Sequence, residues 1–104
     1  KVVVLIDEDC GSSCEEFVKT VRQNPRVITM GRNTYGALDA SNMLEKITPS
    51  KKLFLGFPSS YVHRRAGQEI DNIGIPPSIK LPIPKDQQAY DDEVKFAQKY
   101  LEKN

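Results

Sequence analysis

Apolar residues open the chain as an unbroken run, Val2-Val3-Val4-Leu5-Ile6, which stops at Asp7-Glu8-Asp9. A continuous run of this length predicts a strand buried on both faces, of the kind found in the middle of parallel or mixed sheets. Turn residues follow at Asp9-Cys10-Gly11-Ser12. Cys14, Phe17, Val18 and Val21 then fall at i, i+3, i+4 and i+7, one apolar stripe of a helix. Asn24-Pro25 ends it, because the residue before a proline is pushed out of the helical region. Val27-Ile28-Thr29-Met30, closed by Gly31, predicts a second short buried strand. Residues 2 to 31 therefore read as one βαβ-like unit, with a right-handed crossover if its strands are parallel.

Gly31 to Ser41 has the composition of a loop. From Asn42 the pattern turns to β: Met43 to Thr48, Pro49-Ser50, then Lys52 to Phe57, a hairpin around a tight turn. Ser60 to Arg64 is a candidate for one more strand, followed by the polar loop Arg65 to Asn72. Ile73 to Leu81 is broken by Pro76-Pro77 and followed by Pro82 and Pro84, which suits an extended, edge-running segment. Tyr90, Val94, Ala97 and Leu101 recur at helical spacing. Asp91 and Asp92 stand near the start of this terminal helix, and Lys99 and Lys103 near its end, matching its dipole.

At 104 residues the chain predicts a single domain, 1–104. Area scaling gives a folded surface of roughly 5,900 Å², with about 65% of the unfolded surface buried. Hydrophobic residues at 38% and charged residues at 28% exclude a disordered chain. Fifteen basic against fourteen acidic residues leave a net charge of +1, which argues against a nucleic-acid module held by phosphate contacts. No apolar run approaches the ~20 residues of a membrane span. Two cysteines make no disulfide scaffold, and a single histidine makes a protein-only metal site improbable. Lys1 leads straight into the first strand with neither an initiator Met nor a signal-peptide pattern. A central strand at the very start reads as part of a longer protein.

The densest chemistry lies at Asp9-Cys10-Gly11-Ser12-Ser13-Cys14-Glu15-Glu16, between strand and helix. A serine there sits beside unpaired helix N–H groups that could stabilise an oxyanion. The same spacing, Ser12 with Glu15 or Ser13 with Glu16, is a capping box, which on residue pattern alone is the favoured reading. Cys10 and Cys14 could bridge, but free, partly buried thiols are favoured. Gly31-Arg32-Asn33-Thr34-Tyr35-Gly36 has phosphate-loop glycine spacing without the Lys-Ser/Thr that such a loop needs. His63 reads as a solvated strand histidine rather than a base. Lys51-Lys52 and Arg64-Arg65 read as solvated faces.

Together these pieces resemble the catalytic domain of the tail-specific (C-terminal processing) serine peptidases and their tricorn-type relatives. Gly11-Ser12-Ser13-Cys14-Glu15-Glu16-Phe17 is similar to the family's serine-rich segment ending in a glutamate and an apolar residue. Gly31-Arg32-Asn33-Thr34-Tyr35-Gly36 is similar to its Gly-x-x-Thr-(Phe/Tyr)-Gly. Asp71-Asn72-Ile73-Gly74-Ile75-Pro76-Pro77-Ser78-Ile79 is similar to its acidic-x-x-Gly-Ile-x-Pro-Asp-Ile, with Ser78 in the aspartate's place. Order and spacing of the three carry the resemblance over nearly the whole chain.

The resemblance implies an α/β fold, the C-terminal portion of a crotonase/ClpP-like βαβ spiral with a hairpin and a terminal helix. It implies Ser12 as nucleophile, the Ser13 N–H as an oxyanion donor, and substrate contacts at Gly11, Thr34 and Gly36. Asp71 becomes an acidic residue near the catalytic apparatus, with Glu69 as substitute if the register slips. The processing branch places its lysine base where this chain has Ala37, so a Ser–Lys dyad is excluded. A histidine base, as in the tricorn-type branch, would come from an upstream segment, as would a PDZ-like peptide-docking module. The expected activity is endopeptidase acyl transfer on peptide or protein substrates without cofactor or metal, with this chain inactive by itself. Export to a periplasmic or extracellular location is favoured over the cytoplasm. The alternatives are a non-catalytic homologue that binds peptides or proteins, and an unrelated interaction domain in which Ser12 only caps a helix.

Overall fold

Two separate sheets and two helices are arranged in the order β1 (Val2–Ile6), α1 (Ser13–Val21), β2 (Val27–Gly31), β3 (Ala40–Ile47), β4 (Phe54–Tyr61), β5 (Ile79–Lys80) and α2 (Gln87–Lys103), in a computed structural model that describes residues 1–103. The expected βαβ unit is present. β1 and β2 pair in parallel from Val2↔Val27 to Ile6↔Gly31, and α1 forms the crossover. β5 adds a short parallel edge on the far side of β2, through Met30↔Ile79 and Gly31↔Lys80. The sheet order is thus β1-β2-β5. β1 is an edge strand among the described residues, and Val2 and Leu5 are exposed, so its double-sided burial is not borne out.

Strand alternation decides which residues reach the core. Ile6, with Val4 packed beside it, joins Cys10, Val18, Ile70 and Ile75 in one apolar cluster under α1. Helix α1 buries Val18 and Glu15, whereas Phe17 of the expected stripe is 54% exposed. Met30 is fully buried, and α2 packs against β1. α2 begins four residues before Asp91. Asp86 caps it by accepting from the Ala89 N–H at 2.9 Å, and the first turn carries no acidic residue. Tyr90 and Val94 remain substantially exposed, and only Ala97 of the expected stripe is buried.

The antiparallel hairpin β3–β4 runs from Ala40↔Tyr61 to Ile47↔Phe54. At its base it is longer than the sequence pattern indicates, taking in Ala40, Ser41 and Asn42 on one strand and Pro58 to Tyr61 on the other, whereas at the turn Thr48, Lys52 and Leu53 lie outside the strands; no separate strand forms at 60–64. It stands away from the three-stranded sheet. Met43, Leu44, Ile47, Phe54 and Leu55 are all exposed on it. The protein is therefore elongated, 60 × 34 × 19 Å, with a surface of 7743 Å² against the ~5,900 Å² of a compact chain this long.

The hairpin base is locked to the 70–71 segment by two carboxylates that exchange backbone bonds. Asp39, with no solvent exposure, accepts N–H bonds from Ile70 (2.7 Å) and Asp71 (3.1 Å). Asp71 accepts in return from Leu38 (2.7 Å), Asp39 (2.6 Å) and Ala40 (2.9 Å). Arg64 is not solvated as its sequence context indicates: its Nε donates to Asp39 and its side chain is 15% exposed. Burial alone would raise the Asp39 pKa. The Ile70 N–H, the Arg64 guanidinium and the Asp71 N–H outweigh it and hold the carboxyl below its ordinary value. A folded pKa below the unfolded one stabilises the fold fully above roughly pH 5 and loses that contribution as pH falls through the folded value. Urea unfolding followed across pH should show this acid loss. Asp39→Asn should flatten it and cost about 3 kcal/mol at neutral pH, because Arg64 is left without its partner.

Candidate functional site

Strand β1 ends at Ile6, and the chain must reverse within six residues to start α1. Gly11, Ser12, Ser13 and Cys14 form the tight turn that does this, closed by the Cys14 N–H donating to the Gly11 carbonyl at 3.1 Å. Ser12 occupies its first central position at φ 53°, ψ −115°. That is the type II′ region, which glycine populates readily and a serine only at a cost of about 1–3 kcal/mol. A strained strand-to-helix turn of this kind pushes its side chain outward. Ser12 and Ser13 are accordingly exposed.

Glu15 holds the turn from below. Its side chain is fully buried, and no ion pair to it forms among the described residues. Oε1 accepts from Thr34 Oγ1 (2.6 Å) and the Gly36 N–H (2.7 Å), and Oε2 from the Ser12 N–H (3.0 Å) and the Ala37 N–H (2.9 Å). Both contacts of a capping box lie within reach, but only the Glu15 half attains hydrogen-bond geometry; the Ser12 hydroxyl makes no such bond to the helix end. The Ser13 N–H has no partner among the described residues. An open hydroxyl and an open N–H thus stand next to each other at a helix N-terminus, where the dipole favours negative charge.

The loop carrying Thr34 and Gly36 is sewn to the 70–75 segment. The Ile75 N–H donates to Thr34 Oγ1 (2.7 Å), the Thr34 N–H to the Ile75 carbonyl (3.2 Å), and the Asn72 N–H to the Gly36 carbonyl (2.8 Å). Gly36 has φ +85°, and a Cβ there would lie 2.8 Å from both the Gly74 nitrogen and the Ile70 oxygen. No other residue fits.

The structure brings Gly11, Ser12 and Ser13 together on an open surface. Thr34 and Gly36 lie beneath them as buried partners of Glu15, their polar groups already engaged. Asp71 is the half-buried acceptor of the hairpin clasp, and Glu69 is exposed on the neighbouring loop. His63 is exposed beyond the end of β4, its ring edge-on to Tyr61 at 5.2 Å, and not in a strand. Cys10 and Cys14 are not free thiols: they form a disulfide with Cα atoms 5.2 Å apart, and no free cysteine is present among the described residues. The turn brings i and i+4 to bonding distance, and that spacing was the only signal in the sequence. Tyr35, a member of the Gly31–Gly36 motif with no site role indicated by the sequence, borders the turn. Its N–H donates to the Cys10 carbonyl (2.9 Å), its Cβ lies 3.4 Å from where a Gly11 side chain would begin, and its ring is 67% exposed beside the turn. An open groove of about 620 Å³ lies elsewhere, between the far end of α1 and the 64–76 segment, and none of Gly11, Ser12, Ser13 or Tyr35 lines it.

Glu15→Gln replaces one acceptor oxygen with a donor that must face an N–H. We expect a loss of about 2–4 kcal/mol in chemical unfolding, with the exposed neighbour Glu16→Gln within about 0.5 kcal/mol of the parent.

Comparison with known proteins supplies the context for this geometry. No curated protein matches the chain. Among solved structures, mature CPAF complexed with lactacystin superimposes with a TM-score of 0.66 at 29% identity, over 97% of this chain and 19% of that one. The photosystem II D1 C-terminal processing protease superimposes with a TM-score of 0.51 at 21% identity, over 84% of this chain and 22% of that one, a likeness of fold alone. The chain therefore spans about a fifth of the length of these structures. The model of peptidase family S41 matches residues 1–81, through all three motifs that carried the resemblance. That resemblance is borne out, and the chain belongs to peptidase family S41.

Proposed function

We propose that the chain is the C-terminal part of a serine peptidase catalytic domain, with Ser12 as its nucleophile. The observation that carries this is the Ser12 turn: an exposed serine held at a glycine-type backbone position, its hydroxyl unused by the helix, next to the unpartnered Ser13 N–H. Ser12 Oγ attacks a peptide carbonyl, a base takes its proton, and the Ser13 N–H binds the oxyanion of the tetrahedral intermediate. The amine leaves, and water hydrolyses the acyl-enzyme. Gly11 lets the substrate backbone approach, and Thr34 and Gly36 act on substrate by fixing the height of the loop that carries Tyr35.

Ala37 offers no proton acceptor. The base is therefore a histidine from another part of the whole protein, which would also hold a PDZ-like docking module. Asp71 commits one oxygen to two N–H groups and the other to one, which leaves Oδ2 capacity to orient that histidine. On this reading residues 1–104 form one portion of a crotonase/ClpP-like spiral, act as an endopeptidase on peptide or protein substrates, and are inactive alone. No helix among the described residues is long and apolar enough to cross a membrane. The disulfide fits a periplasmic or extracellular location.

One observation favours a second reading, a non-catalytic homologue that binds peptides or partner chains: the position of the processing branch's lysine is Ala37, whose N–H is spent on Glu15. A fluorophosphonate probe on the whole protein separates the two. We expect stoichiometric labelling that is lost, by at least about a hundredfold, in Ser12→Ala with the far-ultraviolet circular dichroism unchanged. An unlabelled wild-type protein would instead establish the binding module.

A further inference from the structure

The Cys10–Cys14 disulfide encloses three residues, Gly11, Ser12 and Ser13, so the proposed nucleophile sits inside a covalent ring. One end of the ring is anchored: Cys10 is 7% exposed and packs in the apolar cluster with Ile6, Val18, Ile70 and Ile75. The other end, Cys14, lies in the exposed first turn of α1. Between them Ser12 keeps φ 53°, ψ −115°, a conformation that L-residues avoid. Besides the disulfide, the ring residues are tied down by the Ser12 N–H to Glu15, the Cys14 N–H to the Gly11 carbonyl, the Glu16 N–H to the Ser12 carbonyl, the Cys10 N–H to the Asp7 carbonyl and the Tyr35 N–H to the Cys10 carbonyl. The Cys14 and Glu16 bonds, both 3.1 Å, bear on the Ser12 ψ angle, which sets where its Oγ lies relative to the Ser13 N–H, and the disulfide adds a covalent restraint across the same turn.

We propose that the Cys10–Cys14 disulfide is a positioning clamp that holds Ser12 beside the Ser13 N–H, and that its accessible end makes acylation at Ser12 sensitive to dithiols. The inference rests on Ser12 being the nucleophile. A dithiol reductant's thiolate attacks the Cys14 sulfur; the Sγ–Sγ bond breaks and Cys10 leaves and takes up a proton among its apolar neighbours. The reductant's second thiol then closes on the mixed disulfide and releases Cys14 as a thiol. The dithiol is oxidised by two electrons to its own disulfide, and the protein gains two thiols. Ser12 relaxes from its glycine-type conformation, and Oγ and the Ser13 N–H no longer converge on one carbonyl.

The test uses the whole protein with fluorophosphonate, before and after dithiothreitol and again after reoxidation with oxidised glutathione, with mass-resolved alkylation counting thiols at each stage. Expected are two thiols gained, an about tenfold fall in the maximal labelling rate with the half-saturating probe concentration unchanged, and recovery on reoxidation. The double variant Cys10→Ala/Cys14→Ser should label at the reduced rate and ignore dithiothreitol. Amide hydrogen exchange reads the clamp without the probe: residues 12–16 should exchange faster on reduction, with β2 unchanged. Equal labelling rates in both redox states, or cysteines that already alkylate in the oxidised protein, overturn the proposal even if the double variant fails to fold. No labelling in either state overturns the nucleophile reading, and the thiol sensitivity with it; the exchange arm then reports the clamp alone.

Discussion

A buried carboxylate with four hydrogen-bond donors, and no ion pair among the described residues, organises this protein. Glu15 gives up its hydration to sit beneath the first turn of α1, a step that costs several kcal/mol for an isolated ion. Three backbone N–H groups and one hydroxyl replace the lost water. Each bond to a charged acceptor is worth about 1.5–3 kcal/mol, so the exchange holds only while all four donors converge. That condition fixes the position of Ser12 relative to the 34–37 loop, and through Thr34 Oγ1 it reaches Ile75. One side chain thus couples the turn, the loop and the segment behind it.

Polar exchange of this kind carries much of the architecture because apolar burial is modest. The main cluster is built from Ile6, Cys10, Val18, Ile70 and Ile75. The hairpin contributes little to it and shows apolar side chains to solvent. What anchors the hairpin is the reciprocal pair Asp39 and Asp71, with Arg64 balancing the buried charge of the first. At the other end of β2, Arg32 ties α2 to the β1 terminus: Glu93, Asp7 and Glu8 all surround its guanidinium, and the Glu93 bond outweighs the cost of burial and raises its pKa above the ordinary value.

These constraints bear on function through rigidity. The nucleophile proposed at Ser12 would have to meet a carbonyl carbon within about 0.5 Å of the productive geometry, and a loop gains that accuracy only from what braces it. Here the brace is double. Glu15 holds the Ser12 N–H from within, and the disulfide closes the turn covalently from Cys10 to Cys14. The same bracing would serve a peptide-binding homologue, since a fixed N–H at a helix start also receives a carbonyl or a carboxylate.

The amino-acid order by itself determined the strand–helix–strand unit, the hairpin, the terminal helix and the family, because each rests on short-range periodicity or on spacing along the chain. It also pointed to Glu15 as the helix-start partner of Ser12, since a capping box spans only three residues. Burial and pairing were decided by tertiary structure. Val2-Val3-Val4-Leu5-Ile6 has the pattern of a central strand, yet among the described residues β1 pairs with β2 alone, because neighbours in a sheet come from distant parts of a chain. Arg64 looks solvated until the fold brings Asp39 against it across 25 residues. Thr34 and Gly36 donate to Glu15 from 19 and 21 residues away, a pairing that no local pattern indicates. The bond between Cys10 and Cys14 was equally hidden: spacing permits it, but only the turn at Ser12 brings the two Cα atoms to 5.2 Å.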